Sequence, residues 1–150
     1  MKIALIHLSD IHIQSKEDPI FSRLNKLSQA IISAKYNADV FFLLCTGDIS
    51  DKGIVSQFDA AEHFITSLLD LLKSEIKIEA FVMTPGNHDC DLDFDDGARQ
   101  YLLKSINHEI LENQKDNAIY KIITKTQSNY FEFEKKIDIR WITGIRGALL

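Results

Sequence analysis

Cysteine is scarce in this chain: Cys45 and Cys90 are the two in 150 residues. They are too few and too far apart for a disulfide scaffold, and a reducing cytoplasmic compartment suits both. Proline is equally rare, at positions 19 and 85, so Pro-rich linkers are excluded, and no repeat or low-complexity tract occurs. Basic residues are in deficit, 17 against 22 acidic, for a net charge of -5. A general nucleic-acid binder normally carries a basic face, so that class is disfavoured. No apolar stretch approaches the roughly 20 residues that span a bilayer. Residues 1–8 have too short an apolar core, and no small-residue cleavage site, for a secretory signal. We therefore expect a cytoplasmic protein with no membrane partner.

What is present is an ordinary globular composition, 45% hydrophobic and 26% charged, enough for one core. Residues 2–8 form a short apolar run, expected as a buried strand. Asp18-Pro19 then opens a helix with an apolar stripe of Leu24, Leu27, Ile31 and Ala34. Residues 39–45 are continuously apolar after Asp39, the pattern of a strand covered on both faces. A second helix over residues 55–73 carries Phe58, Ala61, Phe64, Ile65, Leu68 and Leu72. Residues 77–83 give a third strand, ended by Thr84-Pro85-Gly86. This β-α-β-α-β order implies parallel strands joined by right-handed crossovers, an α/β fold. Residues 98–114 read as a helix. Residues 119–137 are ambiguous between helix and strand, with Phe131 and Phe133 at strand spacing, and 137–143 alternate as a strand does.

Three clusters sit at the expected strand ends: Asp10-Ile11-His12, then residues 47–53 (Gly-Asp-Ile-Ser-Asp-Lys-Gly), then Gly86-Asn87-His88-Asp89. Ligands of open parallel sheets bind outside the carboxyl ends of the strands, where these loops converge. Asp10 and Asp48 offer hard anionic oxygens, His12 a borderline nitrogen and Asn87 a neutral carbonyl oxygen. Mixed O and N donors without thiolate suit Mn, Fe, Zn or similar ions. A carboxylate can bridge two such ions, and a pair about 3.5–4 Å apart can clamp an in-line displacement. Gly47 and Gly86 let the backbone turn tightly into the site. Any one cluster has a bland reading, since Ser-Asp ahead of an apolar helix is often a cap. The set does not. Asp91, Asp93, Asp95 and Asp96 fail as an EF-hand loop, because Phe94 stands where Gly is needed, and are expected to be a solvated loop. His7, His63 and His108 are expected to be structural.

Taken together, D-x-H, G-D-x-x-D and G-N-H-[DE] in this order resemble the calcineurin-like metallophosphoesterases, most clearly over residues 2–90. The resemblance implies the N-terminal part of a four-layer α-β-β-α sandwich. It implies two divalent metal ions, manganese among the candidates. Asp10 and His12 would hold the first ion, Asp48 would bridge, and Asn87 would hold the second. His88 would be the general acid, Asp51 would orient it and raise its pKa, and Lys52 would meet the phosphate. The implied reaction is hydrolysis of a phosphomonoester or phosphodiester. The substrate would be a phosphorylated small molecule, nucleotide, nucleic acid or phosphoprotein. The family completes its site with later histidines, including a G-H-x-H motif, yet no histidine follows His108 here. We therefore expect residues 1–150 to be the N-terminal portion of one domain. A homo-oligomer or partner domain would cover its open sheet. The alternative is a non-catalytic, phosphoesterase-like regulatory or assembly module.

Overall fold

A computed structural model describes residues 1–106 and 118–146, with side chains described up to Ile137. Strands β1 (Ile3–Leu8), β2 (Val40–Thr46) and β3 (Ile78–Thr84) form a parallel sheet in the order β1-β2-β3. Helix α1 (Leu24–Ser33) crosses from β1 to β2, and α2 (Val55–Leu72) from β2 to β3. Helices α3 (Gly97–Leu103), α4 (Ala118–Ile123) and α5 (Ser128–Arg146) follow. The α/β class and the parallel sheet stand as expected. No helix among the described residues is long and apolar enough to cross a membrane.

Local chemistry explains the element boundaries. Asp18 caps a 3-10 turn, Pro19–Arg23, by accepting the Ile20 N–H, and Pro19 sits where a missing N–H costs nothing. The chain then passes directly into α1. On α2 the whole expected stripe is buried, Phe58, Ala61, Phe64, Ile65, Leu68 and Leu72, and it meets Phe41, Leu43 and Cys45 of β2 in one core. Phe21 stacks on His63 at 5.6 Å and meets Phe64 edge-on at 5.7 Å, which joins the 3-10 turn to α2. His63 is thus structural, as expected.

β2 departs from expectation. Its continuous apolar run reads as covered on both faces, but Phe42 and Leu44 are only half-buried. Both crossovers step in the same direction along the sheet, so right-handedness puts α1 and α2 on one face. Among the described residues, the other face stays open. Leu5 pairs with Phe42 and Phe42 with Ala80; His7 pairs with Leu44 and Leu44 with Val82. Leu5 is 67% and Val82 49% exposed on that face.

The distal third also departs. The expected helix over residues 98–114 is seen as α3, and residues 107–117 lie outside the described ones, His108 included. The alternation at 137–143 is not a strand: the backbone is helical from Ser128 to Arg146. A buried stripe of Tyr130, Phe133 and Ile137, at helical spacing, outweighs the period-two pattern. Phe133 stacks on Phe58 at 5.2 Å, and Tyr130 meets the same ring edge-on at 6.1 Å. Lys136 reaches Asp59 at 3.2 Å, but it is an exposed pair of small value. Apolar contact therefore docks α5 on α2. Truncating Phe133 to Ala should cost about 3–5 kcal/mol of stability, with a lower urea midpoint and an unchanged far-ultraviolet spectrum. A midpoint unchanged from the wild type would mean that α5 is not docked this way.

Candidate metal centre

The three clusters do follow β1, β2 and β3, and backbone bonds zip the first two loops together. Asp10 N–H donates to the Gly47 carbonyl (3.3 Å), His12 N–H to Asp48 (2.9 Å) and Ile13 N–H to Ile49 (2.9 Å). Ile13 and Ser50 form a parallel bridge, with Ile13 and Ile49 wholly buried beneath it. Asp10, His12 and Asp48 all sit in the left-handed region, at φ of 54°, 52° and 52°. Such backbone costs about 1–3 kcal/mol per non-glycine residue and persists only where surroundings enforce it. The strain falls on three of the proposed metal ligands. Their ligating atoms lie within 4.8 Å of one another, close enough to share one ion.

The third loop approaches at contact distance. A Cβ on Gly47 would lie 2.8 Å from the Gly86 backbone, and one on Gly86 would strike the Asp48 carboxylate. His88 N–H donates to Asp48 Oδ1 at 2.9 Å. The His88 ring stands edge-on to His12, 4.6 Å between centroids. Its Nδ1–H donates to the Asp51 carbonyl oxygen at 2.8 Å. A carbonyl only accepts, so Nδ1 carries hydrogen and Nε2 is left for the site.

Here one expectation needs refining. Asp51 orients His88 through its main-chain carbonyl, whereas the resemblance implied its carboxylate. That carbonyl bond, first, and the charges of Asp48, Asp51 and Asp89 lift the His88 pKa above its ordinary 6.5, against some desolvation. The Asp51 carboxylate instead lies within 4.8 Å of the ligating atoms of His12 and His88, forming a second trio.

The capping alternative is not what the carboxylates do. Ile54 is the N-cap of α2 and offers no side-chain bond, so Asp48 and Asp51 are not engaged there. No Lys or Arg among the described residues pairs with Asp10, Asp48 or Asp51. His12 Nδ1 is buried and has no partner among them. Anionic oxygens without cations and an orphaned imidazole nitrogen are what a divalent cation would satisfy. Asn87 is exposed between Gly86 and His88. Lys52 is exposed too, its N–H donating to the buried Gln57 Oε1 at 2.7 Å.

Asp89 and Ser50 belong to the clusters, but their supporting roles, and that of Asn129, carry no clear sequence signal. Asp89, fully buried, accepts from Ser50 N–H (2.8 Å), Gly86 N–H (2.9 Å), Ser50 Oγ (3.0 Å) and Ile49 N–H (3.3 Å). Ser50 Oγ in turn accepts the Gly53 N–H at 3.0 Å. From α5, Asn129 Nδ2 donates to the Gly53 carbonyl (3.0 Å) and to Asp91 Oδ2 (2.9 Å). The acidic run after Cys90 is thus largely structural: Asp91 is buried, Asp95 pairs with Arg99, and Asp96 caps α3. Cys45 is wholly enclosed, and burial pushes its thiol up to about 12, so it acts as a small hydrophobe. His7, on the open face, shares a 2.5 Å hydrogen bond with Thr46.

Two outcomes follow from this geometry. Replacing Gly86 with Ala forces the third loop off Asp48, and divalent-cation affinity should fall by at least about tenfold by titration calorimetry. Unchanged affinity would show that the loop contact does not shape the centre. In metal-free protein, His88 should titrate above 6.5 by ring-nitrogen NMR. Its bonds then stabilise the fold at low pH, and that contribution is lost as pH rises through the folded value. Asp51→Asn should keep most of the rise, since the carbonyl is the main cause; a fall to the ordinary value would assign it to the carboxylate instead.

Comparison with known proteins places the chain in a family. The profile of the calcineurin-like phosphoesterases matches residues 3–146. The chain is 30% identical over 139 residues to the uncharacterised metallophosphoesterase-like protein YydB of Bacillus subtilis, covering 89% of this chain and 27% of that protein. It is 21% identical over 149 residues to a 3',5'-cyclic-nucleotide phosphodiesterase of Nostoc sp., covering 91% of this chain and 53% of that protein. The chain thus spans about a quarter and about half of the lengths of these two relatives. On the profile match over nearly its whole length, the chain belongs to the calcineurin-like phosphoesterase family.

Proposed function

We propose that this chain carries the cation-binding and proton-donating part of a phosphoester hydrolase. The observation that carries the reading is the convergence of Asp10, His12 and Asp48 within 4.8 Å on strained backbone. Asp10 and His12 would hold a first divalent cation, Asn87 would hold a second, and Asp48 would serve both; Mn, Fe and Zn all suit these donors. When bound, such ions neutralise charge on phosphoryl oxygens and make water acidic enough to attack near neutral pH.

The chain's own residues supply the rest. His88 holds its Nδ1 proton against the Asp51 carbonyl, which presents Nε2 to the leaving oxygen. The raised pKa keeps that nitrogen protonated closer to neutrality, as a general acid requires. Lys52, exposed in the turn before α2, meets the phosphate as a point charge. The name of the Nostoc relative supports a phosphodiester as the first substrate class to try. The open sheet face supports a partner domain or second copy above it, which would also bring further ligands toward Asp48 and Asn87.

The test is hydrolysis of a generic phosphodiester with Mn²⁺, beside Asp48→Asn and His88→Ala. Losing the acid should lower kcat by about 10²–10⁴-fold. The loss should be greatest with a poor alkoxide leaving group and least with a nitrophenolate, which departs without a proton. Equal activity in all three proteins would refute the reading and leave the assembly module as the better one.

A further inference from the structure

We infer that His12, Asp51 and His88 form a second seat, overlapping the first at His12, for a borderline divalent cation, Zn²⁺ foremost, and that filling it takes His88 out of proton transfer. The first part stands on geometry. The second rests on the hydrolase reading above.

The ligating atoms of the three residues all lie within 4.8 Å of one another. A tetrahedral zinc with bonds of about 2.0–2.1 Å places its ligands about 3.3 Å apart. One candidate ligand atom from each residue thus lies within about 1.5 Å of that spacing, and the His88 side chain is exposed. The carboxylate of Asp51 is available because its carbonyl does the orienting of His88. Neither a helix cap nor a described Lys or Arg engages it.

The hydrogen bond at His88 has the form found behind metal-bound histidines. A ligating imidazole nearly always donates its other N–H to a carbonyl or carboxylate, which fixes the ring and raises its basicity. His88 already makes that bond, at 2.8 Å, with Nε2 unspent. His12 Nδ1 is buried and unpartnered among the described residues, so one nitrogen of this shared ring is open to a cation at either seat. The two rings already stand edge to face at 4.6 Å.

Donor chemistry separates the two trios. Asp10, His12 and Asp48 present two carboxylates and one imidazole; His12, Asp51 and His88 present one carboxylate and two imidazoles. Nitrogen-rich sets favour Zn²⁺ over Mn²⁺ or Mg²⁺, and carboxylate-rich sets relax that preference. His12 belongs to both, so the two seats are linked. Zinc held on Nε2 of His88 occupies the atom from which the proton would leave. Zinc should therefore bind tightly yet slow turnover where protonation of the leaving group matters.

Zn²⁺ titration calorimetry on the whole chain and on Asp51→Asn, His88→Ala and Asp48→Asn tests the seat, with ring-nitrogen NMR of the wild type. Asp51→Asn and His88→Ala should each weaken a zinc-binding event by at least about tenfold, and Asp48→Asn should keep it. In the wild type, the His88 Nε2 resonance should move on zinc addition while Nδ1 keeps its proton; this readout needs no variant to fold. Zinc affinity in either Asp51→Asn or His88→Ala equal to the wild type overturns the seat, and so does an unmoved Nε2 resonance. An inactive wild type that still shows these effects fails the hydrolase reading alone. An active enzyme without them fails the seat alone.

Discussion

Asp89 accepts four hydrogen bonds inside the protein, from Ile49, Ser50 and Gly86, and the centre is arranged around them. It draws the loop after β2 and the loop after β3 onto one buried anion. A charge taken out of water is tolerated only where donors surround it, so the two loops are tied by the cost of leaving it unpaired. That tie brings Gly86 against Asp48, which is why neither Gly47 nor Gly86 has room for a side chain. It also sets His88, one residue before Asp89, where its N–H meets Asp48 and its ring meets the Asp51 carbonyl. The left-handed conformations of Asp10, His12 and Asp48 persist inside this frame. A buried structural carboxylate thus holds less buried carboxylates in reach of each other.

The strands, α1 and α2 were legible because their signals are carried by side-chain type and spacing. The apolar runs and the stripe from Phe58 to Leu72 can be buried in few other ways. The candidate ligands could be picked out because Asp, His and Asn at three strand ends have a shared chemistry, and the structure brings Asp10, His12 and Asp48 together. What was hidden depends on main-chain atoms and on distant partners. Nothing in the residue type of Asp51 says that its carbonyl, rather than its carboxylate, meets His88. Nothing near Gly53 announces that Asn129, 76 positions away, will hold it. The region from Ser128 to Arg146 carries both a strand-like alternation and a helical stripe. Only the presence of Phe58 across the interface decides in favour of the helix. The one-sided sheet was hidden too, since burial of β2 on one face or both leaves the same apolar letters.

The open sheet face shares an edge with the centre. On β2 and β3 it ends at Thr46 and Thr84, which pair with each other and directly precede Gly47 and Pro85. A body that closes over Leu5, Leu44 and Val82 would lie beside this rim. Contact there bears on the same turns that hold Asp48 against Gly86. Were such contact to shift those turns, occupancy of the face and occupancy of the centre would alter each other's free energy to an equal extent. The face left open by the described residues would then act as a second input to the site, through turns one residue from its edge.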